Sequence, residues 1–224
     1  MATNIKRIGI KDKKFGGIPT EGTDTLEAII IGVAYTSRMY YKNEYDPDKI
    51  VAPTCWSNDT EYPALDVPDN QRQSGRCLDC VHNIRGSGKG SGRACRFVQR
   101  LAVVLKDDLE TVYQLQLPPT SIYGDAVKGE MPLRAYARYL EARETPFIAV
   151  ITKIYFDENS DTPKLFFRPI RPLEEQELET VKKMLDHEDT TQALTLNVVS
   201  VEDRSSSPFA VMDGFTIKNN LENV

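Results

Sequence analysis

Cys55, Cys77, Cys80 and Cys95 are the only cysteines in the chain, and one stretch holds all four. Cys77 and Cys80 form a Cys-x-x-Cys knuckle, a turn that lets two thiolates grip one metal ion. The outer pair closes the loop from its flanks. Four thiolates complete a tetrahedral zinc site and leave no open position for a substrate. One structural Zn2+ per chain is therefore expected, and not a catalytic one. Its binding energy becomes folding energy for the segment that carries it. The alternative use of four cysteines, two disulfides, belongs to an oxidising compartment. His82 could compete as a ligand, but the cysteines already make a full set, so it is expected beside the site.

The segment needs such a staple. Apolar residues are sparse around the cysteines, and arginine and glycine are abundant. Between Cys80 and Cys95 runs VHNIRGSGKGSGRA, which invites comparison with a phosphate-binding P-loop. The match fails, because Lys89 is followed by Gly90 and Asn83 stands where the first glycine belongs. Arg85, Lys89 and Arg93 on a glycine-rich loop suit an adaptable grip on a phosphodiester backbone better.

Charge agrees with that grip. The chain carries a net -5, but unevenly. From Arg72 to Lys106 the cations Arg72, Arg76, Arg85, Lys89, Arg93, Arg96, Arg100 and Lys106 face one acid, Asp79. Residues 174–189 are acidic instead, with Glu174, Glu175, Glu177, Glu179, Asp186, Glu188 and Asp189. A local basic patch on an acidic chain points to a polyanion held at one place.

The elements that must position these residues read as follows. Residues 1–24 are expected to be a flexible basic arm, broken by Gly16, Gly17 and Pro19. Residues 27–41 read as one long strand, and 42–95 as an irregular insertion bearing the zinc. Strands follow at 97–105, 111–117, 146–156 and 164–170. Helices are expected over 132–143 and, with an apolar stripe of Leu173, Leu178, Val181 and Leu185, over 172–186. Residues 193–201 read as one more strand, 205–208 as a linker, and 209–217 as an apolar segment able to dock. The order strand, insertion, strand, strand, helix, strand, strand predicts a mainly β fold. It matches an OB-fold-like five-stranded Greek-key barrel, with a zinc-binding insertion between its first two strands and a C-terminal helix. The expected domain spans 25–190, with 191–224 as an extension.

Several of these residues resemble a family of bacteriophage proteins. The shared pattern is Pro53, Cys55, Ser57, Cys77, Cys80, Asn83, Gly86-Ser87, Gly92, Cys95 and Arg96, followed by Leu101-Ala102-Val103. It resumes at Leu117-Pro118-Pro119 and ends at Phe167-Arg168-Pro169. The resemblance implies a phage early or replication protein. At the level of the fold it looks like the zinc-containing OB-fold single-stranded DNA-binding proteins of large phages. Partners would then be single-stranded DNA and a phage DNA polymerase, helicase or primase. The setting would be the cytoplasm of the bacterial host. The weakly acidic end NNLENV departs from the strongly acidic tails of many such proteins.

The functional expectation is binding of single-stranded DNA without sequence preference. Arg76, Arg85, Lys89, Arg93, Arg96 and Arg100 would hold phosphates. Trp56 is the leading base-stacking candidate, with Tyr35, Arg38 and Tyr113 completing the surface. The alternative is a zinc-stapled adaptor that binds a replisome or host protein. Enzymatic classes lack their residues. There are two histidines, no His-x-Glu before the knuckle, and no Gly-x-Ser-x-Gly elbow. The longest apolar run, residues 28–34, is too short to span a membrane, and the basic N-terminal stretch has no apolar run behind it as a signal peptide would.

Overall fold

The computed structural model describes residues 5–43, 52–196 and 198, together with the backbone of 209–212 and 215–218. The fold is mainly β, and its principal sheet is mixed and curled. The chain divides into two units. The first gathers Met1–Ala34 and Gln99–Thr195, and the second Tyr35–Val98 and Leu196–Met212. No helix among the described residues is long and apolar enough to cross a membrane.

In the first unit seven strands neighbour one another in the order β2-β1-β7-β6-β3-β8-β9. These are β1 (Lys6–Lys11), β2 (Lys14–Gly16), β3 (Thr25–Val33), β6 (Cys95–Leu105), β7 (Asp108–Leu117), β8 (Val150–Phe156) and β9 (Leu165–Pro172). β6 enters this unit at Gln99. The neighbours are antiparallel except β1 and β7, which run parallel with Lys6 opposite Tyr113. Ile29, Ile30 and Ile31 are all buried, as expected of a strand covered on both faces. One face packs Ile29, Ile31, Ala102, Val104 and Val112 against α2 (Glu175–Leu185) and α3 (Glu188–Leu194), which supply Val181, Met184 and Ala193. On α1 (Leu133–Glu141), Leu133, Ala135, Tyr136 and Leu140 are buried. The Tyr136 ring stacks against Phe167, and its hydroxyl bonds the Thr152 hydroxyl at 2.8 Å.

The structure departs from the sequence reading in three places. The expected flexible arm contains β1 and β2, joined by a tight turn in which Asp12 and Lys13 both take positive φ. Two such residues form the turn whose twist suits a hairpin. Gly17 is required just beyond it. Its φ is +74°, and a Cβ there would lie 2.3 Å from the Arg7 carbonyl oxygen. The single strand expected over 27–41 is interrupted, since β3 ends at Val33 and β4 (Ser37–Tyr40) begins after a gap. Ala34 is pinned there, donating its amide to the Arg100 carbonyl and accepting from the Gln99 side chain. The strand expected from Ala193 is replaced at its start by α3, whose last carbonyls accept from Gln114 Nε2 and Arg100 Nε. The remainder of that strand lies largely outside the described residues, as do the expected linker 205–208 and residues 44–51 of the insertion. The apolar segment near the C-terminus forms a two-stranded ladder of β10 (Phe209–Met212) and β11 (Phe215–Lys218).

α2 opens on a capping box between Glu174 and Glu177. The Glu177 carboxylate also receives both guanidinium nitrogens of Arg171 at 2.7 Å. Arg171, with the Glu174 amide, holds the Glu177 carboxyl down to about 2. A depressed folded-state value adds stability above the unfolded value of about 4.3, and that stability is lost as pH falls towards the folded one. Glu177→Gln should therefore cost about 1 kcal/mol at neutral pH, since the pair is partly exposed and screened. The difference from the parent should shrink as pH falls from about 5 to about 2. Urea denaturation at several pH values measures this.

Candidate metal centre and basic loop

The second unit is organised by three short strand segments. β4 lies between β5 (Cys55–Ser57) and residues 95–98 of β6, antiparallel to both. The register places Tyr40 opposite Cys55 on one side and Cys95 on the other. Residues in one row of a sheet project to the same face, so both outer cysteines share a face with Tyr40. Arg38, two residues earlier, shares that face with its row neighbours Ser57 and Phe97. Met39, Trp56 and Arg96 form the intervening row and face the other way.

The chain leaves β5, turns around Asp59, and returns through the knuckle. Asp59 Oδ1 accepts from the amides of Glu61 and Tyr62 and from the Ser57 hydroxyl. Those bonds hold its carboxyl below the usual range. The Cys77 amide donates to the Glu61 carbonyl at 2.8 Å, which fixes the knuckle against the turn. Cys55, Cys77, Cys80 and Cys95 are all buried and line one cavity, together with Arg38, Tyr40 and Gln73. Among the described residues no group of three or more His, Cys, Asp or Glu side chains has the geometry of a formed metal site.

The surroundings of the sulfurs pull in two directions. Burial raises the Cys55 and Cys77 thiols and pushes Cys95 up to about 11. Against burial, the Gln73 and Trp56 amides point at Cys55, and the Ser57 hydroxyl at Cys77. The Arg38 guanidinium acts on Cys77 and Cys95. Burial is the larger effect, and the hydrogen-bond donors and the cation oppose it in the direction of the thiolate, the form in which cysteine binds metal. Four sulfurs are the donor type that a closed, sulfur-only zinc centre uses. His82 is not among the cavity's lining residues. Its ring stacks on Tyr40 at 3.9 Å and meets Gln73 Oε1 at 3.1 Å.

The glycine-rich loop after the knuckle has a defined fold. Gly86 and Gly88 both donate amides to the Gly92 carbonyl, and Gly92 donates to Lys89. The Ser87 hydroxyl donates to the Ile84 carbonyl at 2.6 Å and accepts the Ala94 amide. Gly88 sits so close to Arg93 that a Cβ would come within 2.8 Å of its carbonyl carbon. Arg85, Lys89 and Arg96 are exposed and Arg93 is half-buried. Arg76 is exposed over the Tyr62 ring.

Other expected DNA contacts stand elsewhere. Trp56 is only 7% exposed and belongs to a core with Met39, Ala64, Val67 and Val98. Its indole N–H donates to Asp66 at 3.1 Å, so the ring is structural and offers no face to a base. The cause is alternation, which turns residue 56 away from the cysteine before it. Trp56→Ala should accordingly cost about 3–5 kcal/mol of the second unit's stability. Trp56→Phe, which keeps an aromatic core, should leave affinity for a labelled oligo-dT unchanged. Arg38 is 7% exposed and lies inside the cysteine site. Arg100 is 4% exposed beneath α3, and burial with Arg7 nearby lowers its guanidinium to about 10. Tyr113 is 2% exposed on β7. Tyr35 is the opposite case at 91% exposure. The sequence reading gave no role to the exposed Leu65, Leu78, Val81 and Ile84, which accompany the knuckle. Asn83 entered it only as a mismatch to the P-loop and through the family pattern. No family model, curated protein or solved structure matches the chain.

Proposed function

We propose that the chain is a single-stranded nucleic-acid-binding protein, not an enzyme. Its second unit is a zinc-stapled module, with Cys55, Cys77, Cys80 and Cys95 as the ligands. The observation that carries the reading is the loop between Cys80 and Cys95. It has no acid, its backbone is folded by its own hydrogen bonds, and it exposes Arg85 and Lys89, with Arg96 just beyond. Cations on a pre-folded backbone hold phosphates at little ordering cost. Tyr35 and Tyr62 are the aromatics placed to stack on bases, in the role first assigned to Trp56.

The scaffold supports the reading. β8, β3, β6 and β7 lie side by side, an order compatible with a Greek key. With β9 and α1 added, the order is compatible with an OB-like barrel, with β1 pairing along β7. α2 and α3 cover one face of β3, β6 and β7, so nucleic acid is assigned to the loop between the first two barrel strands, where the cysteines are. A phage replication protein working in a reducing host cytoplasm, beside a polymerase, helicase or primase, fits these features.

Anisotropy of a labelled oligo-dT tests the reading. Binding should weaken steeply with salt and differ little between sequences. Affinity indifferent to salt would transfer the proposal to a second reading, a protein-binding adaptor, which the exposed Leu65, Leu78, Val81 and Ile84 favour.

A further inference from the structure

Arg38 is a charge in a place that should not hold one. A guanidinium stays ionised in proteins, and burying an ion without a counter-charge is costly. Arg38 is 7% exposed. Its Nη1 donates to Asn83 Oδ1, a neutral acceptor. Its guanidinium lies 4.0 Å from the centroid of the Phe97 ring, and its Nε has no hydrogen-bond partner. No carboxylate among the described residues forms an ion pair with it. The side chain is nonetheless firmly held, because Asn83 Nδ2 donates to the Cys77 carbonyl at 2.9 Å. One amide therefore ties the guanidinium to the knuckle. The register puts Arg38 on the same sheet face as Cys55 and Cys95, and it lines the cavity that the four sulfurs share.

We propose that Arg38 is the built-in counter-charge of the four-cysteine centre, a positioning residue that tightens the hold on a divalent metal and quiets the bound thiolates. The inference rests on the zinc reading above. Four thiolates around a divalent ion leave two negative charges in a buried site, and Arg38 offsets one of them. The same pairing removes the cost of the lone guanidinium, so metal binding and Arg38 stabilise one another. Without metal, Arg38 has no carboxylate partner among the described residues and its Nε is unbonded. A residue that merely filled space would lack this asymmetry between the two states.

The test is titration of the metal-free full chain with cobalt(II), read by its sulfur-to-metal charge-transfer absorption, then displacement by zinc. The comparison is between the parent, Arg38→Met and Arg38→Lys. Arg38→Met should weaken metal affinity by about 10- to 100-fold, the usual effect of losing a partner of the ligands. It should also speed alkylation of the metal-bound cysteines. Yet urea unfolding of the metal-free protein should show no loss of stability. Arg38→Lys, which keeps the charge but not the fork, should recover most of the affinity. Unchanged affinity in Arg38→Met with a parent that binds one metal would overturn the role of Arg38 and leave the zinc reading standing. So would an Arg38→Lys as weak as Arg38→Met, or a metal-free Arg38→Met that is less stable than the parent. A parent with no cobalt absorption would overturn the zinc reading itself, and the inference with it.

Discussion

Cys80→Ser should strip the second unit of its fold and leave the first unit's sheet intact. The reason lies in how little else holds residues 52–98 together. The described core there is a small cluster of Met39, Cys55, Trp56, Ala64, Val67 and Val98. Three of the four cysteines meet the strands or the Asp59 turn through backbone pairing, and Cys80 holds the knuckle's far end. Apparent binding energies of structural zinc in small modules run to about 10–16 kcal/mol at neutral pH, and that energy is folding energy. Losing one of four thiolates should remove most of it. The parent should carry one zinc per chain by elemental analysis, and Cys80→Ser none. Trp56 is the chain's one tryptophan and lies inside this unit, so its emission should shift to the red in the variant and on chelation of the parent. Far-ultraviolet dichroism from the first unit should persist. Metal-free parent protein whose Trp56 emission ignores chelators would refute the zinc staple.

Arg85→Ala combined with Arg96→Ala should flatten the salt dependence of oligo-dT binding. Each phosphate neutralised on a single strand contributes about -0.7 to the slope of log affinity against log salt. Four contacts give a slope of roughly -3, and removing two should raise it by about 1.4. The loss should be equal for every sequence, because backbone contacts carry no base information. Both side chains are exposed, so the variants should fold as the parent does. A double variant with the parent's slope would dismiss the loop as the phosphate-holding surface. In contrast, Leu78→Ser with Val81→Ser should leave the slope untouched, since those side chains carry no charge.

How much of this was legible in the sequence depended on whether each signal was local. β6, β7, β8 and β9 could be read because β-branched and aromatic runs ended at clear turns such as Asp107-Asp108 and Pro118-Pro119. α1 and α2 could be read from their apolar stripes. β1 and β2 were hidden because their turn uses Asp12 and Lys13 in positive φ, without the glycine or asparagine that usually announces it. The cysteines were legible as a set, since their identity and spacing alone suggest a thiolate site. Their neighbours were not. Trp56 beside a cysteine in an apolar-poor segment reads as exposed until the strand register is known. Arg100 sits in a run of cations by sequence but under α3 in space. Arg38 carries no local signal at all, because its burial depends on Phe97 and Asn83, both distant along the chain.

The back-to-back placement of Cys55 and Trp56 limits how the gene can vary. One residue inserted or deleted between Cys55 and Ser57 would rotate every following side chain of β5 to the opposite face. With Cys55 held in place, Trp56 or its replacement would face the wrong side, and the hydrophobic cluster would be lost. Length changes between Asn58 and Gly75 carry no such penalty where they spare the Asp59 turn with Glu61, the buried Ala64 and Val67, and the partners Asp66 and Gln73. Descendants of this gene are thus expected to differ in length between those contact positions, while the tripeptide Cys55-Trp56-Ser57 keeps its phase.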